Sequence, residues 1–175
     1  MEKVAPGRFT AQHDEPFVVY LLGMRINRLF AFSKWLSVAR AIRPMMRTLS
    51  ENPEKGYLGG RYFYYWREAG MIQYWRSYED MERFARDPED PHPGPWRRFN
   101  ETVSADGSVG IWHEAFLVER GRYETIYGNM PPFGLAQATR AVPAVGRFET
   151  AARRMGRESA PAVSSPPQPG TAQTR

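Results

Sequence analysis

The chain has 175 residues, enough for one hydrophobic core with tails and too few for two large domains. It contains no cysteine, which excludes disulfides, thiolate metal sites and cysteine nucleophiles. Its 24 basic and 19 acidic residues leave a net charge of +5, but the excess is scattered and forms no basic stripe, which argues against a nucleic-acid partner.

Residues 1–16 carry Glu2, Asp14 and Glu15 and no apolar h-region, so they do not read as a secretory signal and a cytoplasmic protein is expected. His13 falls in this arm and is assigned no role. The apolar run Phe17–Met24 is far shorter than the roughly 20 residues that a membrane-spanning helix needs. Both of its alternating sets, Val18, Tyr20, Leu22 and Phe17, Val19, Leu21, are apolar, as in a strand covered on both faces. Next, Phe32, Trp35, Leu36, Ala39, Ile42, Met46 and Leu49 recur at helical spacing and should pack one face of a helix on a sheet. Pro44 lies inside this span and predicts a kink or break near Ile42 and Arg43. Asn52–Gly56 then supplies turn residues.

Tyr57–Arg67 and Met71–Arg76 are rich in β-formers and read as a hairpin turning at Glu68-Ala69-Gly70. Tyr62, Tyr64 and Trp66 fall on one face of the first run, Arg61, Phe63 and Tyr65 on the other. Ser77 and Asp80 have the spacing of a capping box, with Met81, Phe84 and Ala85 as the apolar face of a short helix. The proline-rich stretch Pro88–Pro95 separates it from a further helical piece beginning near Trp96. Ser104–Ser108 reads as a turn and Val109–Val118 as a fourth strand, with Ile111, His113, Ala115 and Leu117 opposite Trp112, Glu114, Phe116 and Val118. Tyr123–Tyr127 reads as a short fifth strand and Met130–Gly134 as an extended turn. Ala136–Gly156, interrupted by Pro143, reads as one or two surface helices, and the Pro/Ser-rich residues 158–175 as a disordered tail.

The order strand, helix, strand, strand, helix, strand is the split-βαβ or ferredoxin-like arrangement, an α+β fold with an antiparallel four-stranded sheet and its helices on one face. Residues 1–157 are expected to form this single domain with a C-terminal helical extension. A bare sheet face this aromatic would exceed the few hundred Å² that a monomer usually exposes, so a second copy is expected to cover it.

The chemistry is densest in Asp87–Asn100 and Gly110–Phe116, which hold His92 and His113, two of the three histidines, beside Trp96 and Trp112. Groups able to move protons next to aromatic walls point to a pocket for an apolar organic molecule. An imidazole at the entry to a helix, His92, suits a general base working near neutral pH; the plainer role is a loop histidine whose ring caps a helix or meets solvent. His113 either faces the pocket or is a buried structural histidine. One of Arg97, Arg98 and Arg76, facing inward, suits stabilisation of an oxyanion or peroxide, with solvation or pairing to Glu79 and Glu101 as the plainer role. Asn100 and Asn129 suit donation to a carbonyl, with capping as the alternative duty. Trp35, Tyr74, Trp96 and Trp112 are candidate substrate walls or plain core, and Tyr127 brings a phenol to the pocket mouth. Two histidines on separate elements without carboxylates fall short of a metal site, and Gly59-Gly60 lacks the lysine and helix of a phosphate loop.

Six stretches together carry a family resemblance: Met24–Asn27, Lys34–Leu36, Gln73–Ser77, His92–Asn100, Val109–Glu114 and Tyr127–Gly134. Over roughly Arg8–Leu135 the chain resembles the fumagillin-pathway monooxygenase-like family, grouped with the antibiotic-biosynthesis monooxygenases of the dimeric α/β-barrel superfamily. The resemblance implies a homodimeric ferredoxin-like protein with its cavity between sheet and helices. It leaves three activities open. The first is a monooxygenase that needs no cofactor, in which His92, assisted by Asn100 or Arg97, deprotonates a hydrophobic natural-product-type molecule. The second places haem in the same cavity with His92 or His113 as axial ligand, for oxygenation or dehydration. The third is a non-catalytic dimeric module that sequesters a small molecule.

Overall fold

The structure, a computed structural model, describes residues 3–102 and 106–164. Residues 165–175 of the expected tail, and Ser104 and Ala105 of the expected turn, lie outside the described residues. The chain divides into two compact units, Phe17–Leu117 and the segments that precede and follow it. In chain order, β1 (Ala5–Gln12) belongs to the flanking unit, and the central unit runs β2 (Phe17–Ile26), α1 (Phe32–Glu51), β3 (Tyr57–Tyr65), β4 (Glu68–Trp75), α2 (Tyr78–Arg86), α3 (Pro93–Thr102) and β5 (Val109–Val118).

The central sheet has the order β3-β4-β2-β5, with β4 antiparallel to both β2 and β3. Helix α1 links β2 to β3, and α2 with α3 link β4 to β5, so the unit is an α+β ferredoxin-like fold. Register decides which residues meet the helices. Val18, Tyr20, Leu22 and Met24 of β2 stand opposite Trp75, Gln73, Met71 and Ala69 of β4, all on one face. At one end of that face Val18, Leu49, Trp75, Met81 and Phe84 form a buried cluster. At the other end Met24 and Val109 form a second, joined by Trp35, Val38, Ala39, Phe99 and Ile111.

Local chemistry places the helices. The Ser77 hydroxyl accepts from the Asp80 main-chain N at 3.1 Å, capping α2 as the Ser-x-x-Asp spacing predicts. Helix α1 is not broken at Pro44. The proline forfeits one main-chain donor, and beyond it the packing of Leu49, Met45 and Met46 against the first cluster holds the last turns in helix. The hairpin turns at Trp66-Arg67, not at Glu68–Gly70, since Tyr65 pairs with Glu68. Trp66 takes a left-handed φ of 52°, a conformation that a non-glycine residue rarely adopts. Gly70 serves close approach instead: a Cβ there would lie 2.4 Å from Cζ of Phe63 and 2.9 Å from the Leu22 carbonyl oxygen.

In the flanking unit β1 is the middle strand of a three-stranded sheet, between β6 (Tyr127–Met130) and β7 (Arg140–Pro143). The N-terminal arm is therefore a strand, and the expected fifth strand at Tyr123–Tyr127 begins only at Tyr127. Ala136–Gly156 holds the end of α4 (Gly134–Ala138), strand β7 and the single turn of α5 (Ala151–Arg154). Pro143 ends β7, which lies on the sheet edge where its missing donor costs least. Among the described residues no helix is long and apolar enough to cross a membrane.

Candidate active site

Between the two clusters of the central unit lies a cavity of about 630 Å³, within the usual range for small-molecule sites. The sheet contributes Tyr20, Leu22, Met24, Met71 and Ile111; α1 contributes Val38, Ala41, Ile42 and Met45. His92 and α3 close a further side with Pro95, Trp96 and Phe99. Tyr62 and Tyr64, 47% and 80% exposed, form an aromatic rim. Both His92 and His113 line the space.

His92 is fixed by its surroundings. Asp90, in the connection that leads to it, pairs at 2.8 Å with Lys55 from the turn after α1, and the His92 ring lies 6.4 Å from that of Phe84. Pro93 opens α3, where a residue without a main-chain donor is well tolerated. Nδ1 of His92 lies 2.9 Å from the carbonyl oxygen of Ala85. A carbonyl can only accept, so Nδ1 carries the proton and Nε2 keeps the lone pair in the neutral ring. The bond reaches the last turn of α2, so the His92 ring also caps that helix end, the plainer role expected of it.

His113 is exposed, not buried, and its ring packs on that of Tyr20. Burial, with a smaller effect of Tyr78, pushes the Tyr20 phenol above its ordinary value. Tyr20 therefore stays a neutral donor at any pH near neutrality.

The other sequence candidates divide. Trp96 lines the cavity and stacks on Phe99, centroids 6.0 Å apart. Trp112 is among the lining residues, but its indole stands on the face of the sheet opposite His113, where a Cβ on Gly23 would lie 3.0 Å from it and the Phe63 ring lies 6.4 Å away. Arg97 and Asn100 are not among the lining residues, whereas Arg98 is. Helical periodicity explains this, because Trp96, Phe99, Pro95 and Arg98 occupy one continuous arc of α3 that leaves positions 97 and 100 outside. Trp35 donates its indole N–H to the Leu29 carbonyl at 3.1 Å and packs with the second cluster. Tyr74 stands on the opposite face of the sheet, its ring 6.5 Å from that of Phe17. Tyr127 and Asn129 belong to the flanking unit, where Tyr127 packs against Phe133 and Asn129 accepts from the Gly7 main-chain N at 2.9 Å.

Sequence reasoning missed Tyr20, Tyr62 and Arg40. Tyr20 had a signal, since it is the one polar tip on the alternating set Val18, Tyr20, Leu22. No aspartate or glutamate is among the lining residues. Among the described residues no group of three or more His, Asp or Glu is placed to hold a metal ion.

Over 75 residues the chain is 33% identical to Monooxygenase af470 of Aspergillus fumigatus, a match spanning 41% of this chain and 26% of that protein. A solved dimeric ferredoxin-like protein from an uncultured marine organism aligns at 11% identity with a TM-score of 0.34, covering 59% of this chain and 95% of that one. A model of the monooxygenase af470-like family matches residues 17–135, most of the chain and all of the central unit, and the chain belongs to that family.

Proposed function

We propose that the protein is a monooxygenase that oxidises a hydrophobic natural-product-type molecule in the central cavity without a cofactor, with His92 as general base. The observation that carries this reading is the Nδ1 contact to Ala85, which leaves Nε2 as the basic nitrogen of a ring that lines an aromatic and aliphatic chamber. The substrate needs an activated methylene. His92 takes one C–H proton, the carbanion passes one electron to dioxygen, and the two radicals combine as a peroxide anion that takes the proton back from His92 to give a substrate hydroperoxide. Loss of the second C–H proton breaks the O–O bond, so that the methylene and dioxygen give a ketone and water. The substrate supplies all four electrons. The apolar walls keep water from the carbanion, and the Tyr20 phenol and the His113 ring stand at the sheet wall to meet the forming oxyanion.

Haem is the second reading, because a histidine tied through Nδ1 to a carbonyl would also be suited to hold a metal. His92 would hold the iron through Nε2, and the group would then supply the oxygen chemistry. A homodimer belongs to the same proposal. Phe30, Trp66 and Tyr64 of the central unit are 89%, 84% and 80% exposed, and a second copy would cover such surface. Turnover of a panel of 1,3-diketones and anthrones under isotopically labelled dioxygen tests the reaction. One labelled oxygen per ketone, from protein with no Soret absorption, is expected. A Soret band on which activity depends selects haem, and unlabelled product removes the oxygenase reading.

A further inference from the structure

The charge of the cavity wall has one sign. Arg40 and Arg98 line it together with the two imidazoles, and among the described residues no carboxylate does. Helix α1 reinforces this. It carries Lys34, Arg40, Arg43 and Arg47 against a single acid, Glu51, which Arg47 already engages at 2.9 Å. Positions three and four residues from Arg40 are Leu36, Ser37, Arg43 and Pro44, so no acid on this helix neutralises it. On the sheet side, Glu68 is taken by Arg25 at 2.7 Å.

Such a wall discriminates. An apolar body filling the chamber lowers the local dielectric, so the attraction between an arginine and an anion at its edge strengthens, while a cation meets repulsion and a neutral molecule gains only from apolar burial. Arg40 and Arg98 are themselves exposed, and the apolar side chains Met24, Met71 and Ile111 lie further in. We propose that the molecule this cavity takes is an amphipathic anion, an apolar body with a carboxylate or similarly acidic group, its charge held at Arg40, on the wall that Arg98 shares, and its apolar part among the methionines. The inference rests on the reading of this cavity as the substrate site. It adds a substrate class to that reading, and the same positive wall favours the carbanion over its parent acid.

Binding of dodecanoate, dodecanol and dodecyltrimethylammonium to the full chain, each as monomer in solution and followed by tryptophan fluorescence, tests it. Dodecanoate is expected to bind at least about tenfold more tightly than dodecanol, and the ammonium most weakly. The double variant Arg40→Gln/Arg98→Gln should lower dodecanoate affinity to that of dodecanol and leave dodecanol unchanged. The double lysine variant should retain most of the preference. Equal affinity for the acid and the alcohol, no binding of either, or a preference that survives the glutamine variant overturns the proposal. His92→Ala separates this inference from the proposed reaction. It should keep the preference for the acid, and turnover unaffected by that variant would remove the base without touching anion selection.

Discussion

The rings of Tyr20 and His113 lie with centroids 5.5 Å apart and planes inclined at 44°, which joins β2 and β5, each carrying a polar group to the cavity. His113 thus has an aromatic neighbour where His92 has a hydrogen-bonded one, and the two histidines should separate in function. His113→Ala is expected to lower turnover by less than about tenfold, because an oriented base contributes about 10²- to 10⁴-fold and a wall residue far less. Steady-state kinetics of the two single variants side by side check this. Equal losses would place both rings in proton transfer.

Ala41 lines the cavity from α1 and touches neither histidine by sequence neighbourhood. Ala41→Phe should fill part of the space. Ligand affinity is expected to fall by more than about tenfold, roughly 1.4 kcal/mol, with little change in Tm. Calorimetric titration and thermal melts measure the two effects.

Asp80 ties the start of α2 to the end of β4. Its carboxylate accepts from Arg76 at 2.7 Å and Arg83 at 2.8 Å. The Arg76 bond above all, then that of Arg83, holds its pKa below the ordinary value despite burial. The stabilisation is therefore present above the unfolded carboxylate pKa and is lost as pH falls through the lowered folded value. Asp80→Asn should cost about 2 kcal/mol at neutral pH, and the gap between variant and parent should close in acid. Urea midpoints at neutral and strongly acidic pH check the sign.

Glycines 70 and 94 should respond in opposite ways. Gly70→Ala drives a methyl into the Phe63 ring and the Leu22 carbonyl, and about 1–3 kcal/mol of stability should be lost. At Gly94, near the start of α3, an added methyl would meet nothing within 4 Å, and alanine there should gain about 0.4–1 kcal/mol. Denaturant titrations of both variants decide.

The central fold is legible where local signals agree with tertiary demands. The apolar run from Phe17, the Ser77 cap and the alternation around His113 each correspond to an element of the unit. The hairpin turn is displaced from its expected place because its φ > 0 position is held by Trp66, while Gly70, the residue with the turn signature, is needed for Phe63. Strand β1 is hidden for a different reason. Its Pro6, Gly7 and Arg8 break any alternation, and its buried Thr10 hydroxyl donates to the carbonyl of Thr125, from which it is 115 residues removed. In the site, both histidines are legible from composition. The choice of Arg98 over Arg97 is not, because it depends on the rotation of α3 about its own axis.

The central claim is that the His92 imidazole takes a proton from the bound molecule. Turnover of His92→Ala with and without added imidazole tests it most directly. A loss of about 10²- to 10⁴-fold, partly restored by imidazole in the buffer, is the predicted result. Unchanged turnover in the variant would contradict it.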